Sequence, residues 1–85
     1  MKPQGLYLRV RNREQLVFDG PVKSVTSFNE KGEFDVLPQH ANFISLVRRF
    51  LAFRDTANQK REIRLDSAIM RVIRGYVDVY LGINK

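Results

Sequence analysis

The chain has no cysteine. That removes a disulfide framework and any thiolate metal site, so apolar packing alone must hold the fold. It has a single histidine, His40, which excludes histidine clusters and most nucleophile–base pairs. No apolar run approaches the ~20 residues needed to cross a bilayer. The N-terminal Met1-Lys2-Pro3-Gln4-Gly5 lacks the apolar core of a signal peptide and is too short for a transit peptide. These absences point to a cytoplasmic protein that reaches a membrane only through partners.

What is present is ordinary in amount. Eighty-five residues make one domain spanning 1–85. A chain this short buries roughly 60% of its unfolded surface, so a partner that supplies further burial is expected. Hydrophobic residues are 44% and charged residues 28%, as in soluble globular domains. Fifteen Lys and Arg stand against nine Asp and Glu, a formal charge of +6. That balance suits an acidic protein, nucleic acid or anionic lipid, or simply a solvated cationic surface.

The dominant period is two. Leu6, Leu8 and Val10 alternate with Tyr7, Arg9 and Arg11, and Val77, Val79 and Leu81 with Tyr76, Asp78 and Tyr80. Ile63 and Leu65 alternate with Glu62, Arg64 and Asp66, and Leu51 and Phe53 with Phe50, Ala52 and Arg54. Turn residues separate these runs at Asp19-Gly20-Pro21, Asn29 to Gly32, Pro38-Gln39, Asp55 to Asn58 and Arg74-Gly75. Short strands at roughly eight- to twelve-residue intervals predict an all-β antiparallel sandwich or barrel. The segment 42–53 has Phe43, Ile44, Val47 and Leu51 at near-helical spacing, yet its β-branched and aromatic content favours strand.

Chemistry-bearing constellations are weak. His40 beside a proline turn reads as a local hydrogen-bonding residue. Glu33 and Asp35 share a strand face as paired carboxylates could, but Phe34 and Val36 opposite them mark an ordinary exposed strand edge. Gly32 is a turn glycine, without the spacing of a phosphate-binding loop. No catalytic, metal or cofactor site is expected. Arg9, Arg11 and Arg13, Arg48 and Arg49, and Lys60, Arg61 and Arg64 cluster, with tyrosines nearby, so a nucleic-acid-binding barrel is the alternative. Glu14, Asp19 and Asp78 interrupt the basic runs, and no RNA-binding signature is present, which makes nucleic acid the weaker partner class.

From Glu14 to Leu46 the chain reads EQLVFDGPVKSVTSFNEKGEFDVLPQHANFISL. Its Phe18-Asp19-Gly20, its Gly32-Glu33-Phe34-Asp35-Val36-Leu37-Pro38-Gln39-His40-Ala41, and the later Asp66 to Val72 and Val77 to Leu81 resemble the N-terminal domain of the F-type ATP synthase epsilon subunit, called delta in mitochondria. The resemblance runs from about Leu6 to Leu81. It implies a flattened β-sandwich of about ten short strands and a non-catalytic, cofactor-free rotor subunit in the central stalk. Such a subunit docks on gamma and the c-ring on the inner face of the energy-coupling membrane, without inserting in it. Gly32 and Glu33 would face the c-ring, and His40 with its neighbours Pro38 and Ala41 would face gamma. Phe34, Val36 and Leu37 would hold those loops. The alternative is a diverged basic β-domain that binds nucleic acid or another complex.

The resemblance has departures. Asp35 and Gln39, and Ser67-Ala68, stand where the family has glycines, so strain is expected if any of these needs a positive φ. The sequence reaches Lys85 without the family's C-terminal helical hairpin. A short form or isolated domain without that hairpin's inhibitory role is therefore the expectation.

Overall fold

A computed structural model describes residues 5–38 and 42–82. Six strands run in chain order: β1 (Leu6–Arg11), β2 (Leu16–Asn29), β3 (Gly32–Val36), β4 (Phe43–Asp55), β5 (Lys60–Ile73) and β6 (Tyr76–Leu81). No helix occurs among the described residues, and all of the 42–53 segment after Asn42 lies within β4, as its β-branched and aromatic content predicts. The all-β class holds, but the strand count is six rather than about ten.

The difference has a physical cause. β2, β4 and β5 are 13 or 14 residues long, and β2 and β5 pass through bulges instead of breaking. In β2, Gly20 and Val22 are buried, then Val25 and Ser27. The inward parity flips where the register with β4 slips between Val22 and Ser24. In β5, Ile63 and Leu65 lean inward, then Ala68, Met70 and Val72, flipping where the β4 register slips between Val47 and Arg49. A bulge adds one residue and reverses the faces beyond it. β2 and β5 therefore each read as two short strands by periodicity, while the count of about ten is what the family resemblance implied.

The strand order is β1-β6-β5-β4-β2-β3, with a further β1–β2 pairing. β1, β6, β5, β4 and β2 thus close into a ring of five strands, and β3 hooks onto the C-terminal half of β2. An odd ring cannot alternate strand direction all the way round. One parallel pair is forced, and it is β1–β6, which corrects the purely antiparallel expectation. Closure removes most free edges, and the extents of 39 × 26 × 20 Å give the barrel its flattened shape.

Its interior is aliphatic. Leu8, Val10, Val25, Val36, Leu51, Met70, Val77 and Val79 are all fully buried. Leu6, Leu8 and Val10 face inward as their alternation predicts, as do Val77 and Val79. Two local expectations fail. Asp19-Gly20-Pro21 is not a turn but lies within β2 against β1. At Pro21 that strand is bonded on one side only, because β4 begins its pairing at Val22, so a missing N–H does no harm there. Ala52, expected outside, is only 3% exposed. Thr26 and Glu62 stand opposite it on the two neighbouring strands.

Candidate functional site

The β2–β3 hairpin carries the first part of the site. Asn29 turns the chain, its Oδ1 accepting the Lys31 N–H at 2.8 Å, and its Nδ2 donates to Ser45 Oγ at 3.2 Å. Gly32 has φ +114° with nothing within 4 Å of where a Cβ would stand. It is needed for its backbone conformation, not for clearance. Glu33 and Asp35 are exposed on β3, whose partner strand is β2, as expected of an edge. Thr26 Oγ1 donates to Asp35 Oδ1 at 2.6 Å.

Phe34 is half-buried, with its ring centroid 6.4 Å from that of Phe43 in an edge-on contact, and Val36 is fully buried. Both therefore anchor the hairpin as expected. Leu37 is 47% exposed, so it lies at the surface beside Pro38, which is half-buried in the turn after β3. His40 and Ala41, with Gln39, lie outside the described residues. Asp35, Ser67 and Ala68 are absent from the positive-φ positions, which are Arg49, Asn58, Arg74 and three glycines among the described residues. The glycine replacements at 35, 67 and 68 therefore store no left-handed strain.

The second part was not anticipated. Ile44 and Leu46 stand on the outer face of β4, 70% and 64% exposed. With Glu30, Lys31, Phe34, Phe43 and Arg48 they line a groove of about 680 Å³ between the hairpin and β4. The signal was in the sequence. Phe43, Ile44, Leu46 and Val47 are apolar on both parities of one strand, and a strand apolar on both faces is ordinarily covered on both. Here the inner face is covered by the barrel and the outer face is not.

The outer face of β1, β6 and β5 is polar and largely self-satisfied. Asp78 is 9% exposed and lies between Arg9 Nε at 3.4 Å and Arg71 Nη2 at 3.5 Å. The Tyr7 hydroxyl donates to Asp19 Oδ1, and its ring lies 5.9 Å from that of Tyr76. That hydrogen bond, chiefly, raises the Tyr7 pKa above its ordinary 10.0. Arg11 lies 5.7 Å over Tyr80. Tyr7 and Tyr80 are thus engaged within the protein, while Tyr76 stays 49% exposed. No group of three or more metal-ligating side chains occurs among the described residues, and no described helix is long and apolar enough to cross a membrane. The arrangement offers a hairpin with an acidic edge beside an exposed apolar strip, which is a contact surface in its chemistry.

Comparison with known proteins points the same way. Residues 5–81 match the family described as ATP synthase, Delta/Epsilon chain, beta-sandwich domain. The chain is 51% identical over 43 residues to an ATP synthase epsilon chain of a Nitratiruptor species, covering 51% of this chain and 33% of that one. It is 36% identical over 63 residues to an ATP synthase epsilon chain of Helicobacter pylori, covering 74% of this chain and 51% of the relative. It therefore spans from a third to about half of the length of these curated relatives.

Among solved structures, a chain of the Euglena gracilis mitochondrial ATP synthase superposes with a TM-score of 0.86 at 19% identity. That match covers 95% of this chain and 52% of the other. A chain of the central stalk and c-ring structure of the Tetrahymena thermophila mitochondrial ATP synthase gives 0.75 at 13% identity, covering 95% and 66%. At such identities the two superpositions establish the fold.

Proposed function

Because the chain belongs to the ATP synthase delta/epsilon beta-sandwich family, we propose that it is a non-catalytic central-stalk subunit that docks on gamma and the c-ring. Residues 1–85 act as one such domain. The observation that carries this reading is the exposed apolar pair Ile44 and Leu46 beside the Glu33 hairpin. An apolar strip with a polar rim is what a protein contact requires. Within the reading, Gly32 and Glu33 present the hairpin tip to polar loops of the c-ring. Pro38, His40 and Ala41 lie toward gamma together with Ile44 and Leu46.

The mechanism is mechanical. A closed barrel has few ways to deform, because β1 and β6 are bonded on both sides along most of their length and β2, β4 and β5 each hand over from one ring neighbour to the next. Clamped between two partners, it passes rotation of the c-ring to gamma without chemistry of its own. The subunit then sits at the cytoplasmic face of the energy-coupling membrane and is held there through the complex.

Co-purification of the tagged chain from its native cells tests the proposal. Gamma and c-ring subunits are expected with it, and their recovery falls in a Glu33→Lys, His40→Ala double variant. Recovery of nucleic acid or an unrelated complex in their place overturns it.

A further inference from the structure

β4 and β5 fall out of step at one place. Val47 pairs with Ala68 and Arg49 with Leu65, which leaves Arg48 alone opposite Asp66 and Ser67. In a regular strand, successive side chains point to opposite faces, and on this barrel one of two neighbours would point into the core. Here Arg49 takes φ 76°, and Arg48 and Arg49 are both exposed. A side chain in the left-handed region costs ~1 kcal/mol and persists where its surroundings hold it. The Arg49 guanidinium lies 4.3 Å over the Phe28 ring, a cation–π contact that fixes its direction. Arg64, exposed on β5, joins Arg49, Leu65 and Asp66 around a crevice of about 490 Å³. The ion pairs among the described residues engage Arg9, Arg61 and Arg71, and none engages Arg48, Arg49 or Arg64.

We infer that Arg48, Arg49 and Arg64 form a docking site for a carboxylate-bearing segment of a protein partner. Guanidinium forks match carboxylates in pairs of parallel hydrogen bonds, and one fork here is already oriented by Phe28. Ile44, Leu46 and Arg48 line the same groove, so the apolar strip runs directly into the cationic one. The segment that fits is apolar at one end and acidic at the other. A phosphodiester chain fits less well. It offers nothing apolar to Ile44 and Leu46, which share the groove with Arg48, whereas the Asp66 carboxylate in the crevice repels either kind of anion alike. Phe28, the aromatic ring at the site, is already covered by Arg49. The inference deepens the rotor reading by naming the chemistry of what docks, and rests on that reading only for the partner's identity.

The test has two arms. In the first, the isotope-labelled chain is titrated with a polyglutamate peptide, with single-stranded poly-dT and with phosphatidylserine vesicles, while amide and arginine Nε resonances are followed. Polyglutamate is expected to shift residues 48, 49 and 64 and their neighbours. An Arg48→Glu, Arg64→Glu variant with unchanged dispersion elsewhere should weaken binding by on the order of tenfold or more. No shift at these residues, shifts spread evenly over Arg11, Lys60 and Arg74, or tighter binding of poly-dT or vesicles at the same residues overturns the inference.

In the second arm the chain is bound to its cognate gamma subunit and c-ring. Weaker binding by the charge-reversed variant supports the site. Undiminished binding by that variant overturns the site and leaves the rotor reading standing. A wild-type chain that ignores gamma and the c-ring, yet binds polyglutamate at Arg48 and Arg64, supports the site and sinks the rotor reading.

Discussion

Replacing Ile44 and Leu46 together by threonine separates docking from folding. Threonine is β-branched and suits a strand, and the two side chains are 70% and 64% exposed in the free chain. The change should therefore move folding stability by no more than about 0.5 kcal/mol. In the docked state proposed above the same surface is buried. Full burial of such a side chain contributes ~1.5–3 kcal/mol, and about two thirds of each remains available here. The pair is then worth about 3 kcal/mol to docking, roughly a hundredfold in affinity at ~1.4 kcal/mol per decade. Binding to a purified gamma–c-ring complex by interferometry gives the affinity, and urea denaturation of the free variant gives the control. An unchanged dissociation constant with an unchanged melt refutes the reasoning, because the strip would then be exposed for no contact. A melt lowered by more than about 1 kcal/mol would show instead that the strip serves the fold.

Other perturbations probe the barrel itself. Leu51 is fully buried in β4 between Ser27 and Ile63, and Leu51→Ala should cost ~2–5 kcal/mol. That is a large share of the stability of a domain this small. A loss below about 1 kcal/mol in urea denaturation contradicts the packing. Arg74 (φ 49°) and Gly75 (φ 84°) form the β5–β6 turn, where two left-handed residues favour Asn-Gly. Arg74→Asn should raise the melting temperature by several degrees, about 4–8 °C per kcal/mol gained, and a fall counts against that turn geometry. The Tyr7 pKa is raised by its hydrogen bond to Asp19. A raised folded-state pKa means this contribution is present below pH 10.0 and is lost as pH climbs through the folded value above it. In an absorbance titration, Asp19→Asn should bring a late-ionising tyrosine back to the ordinary range. Overlapping titrations of variant and wild type contradict the assignment.

Much of this architecture is legible in the sequence. Leu6, Leu8 and Val10, and Val77 and Val79, alternate cleanly because β1 and β6 are short and carry no bulge in their shared ladder. The phase reversals in β2 and β5 are not legible. A bulge leaves the composition of a strand unchanged and alters only which residues face inward, and that is set by the register with a neighbour distant in sequence. Gly20-Pro21 misleads for a related reason: those residues carry turn chemistry, but β1 supplies a ladder that accepts them. In the site, the Gly32 turn and exposed Glu33 follow from local sequence. The open outer face of Ile44 and Leu46 could be suspected from a strand apolar on both parities, but its exposure depends on which strands cover β4. The outward pair Arg48 and Arg49 depends on a bulge that no periodicity reveals.

The central claim is that the Glu33 hairpin meets the c-ring while the β4 strip meets gamma. The chain contains no cysteine, so Glu33→Cys, Ile44→Cys and Asn58→Cys each give it a single thiol from which a cross-link can start. In assembled rotor complexes, the account predicts that the cysteine at 33 links to a c-ring subunit and the one at 44 to gamma. The one at 58, in the exposed β4–β5 turn, links to neither. Cross-links from 58 to these partners, or none from 33 and 44 in complexes that contain the chain, would contradict it.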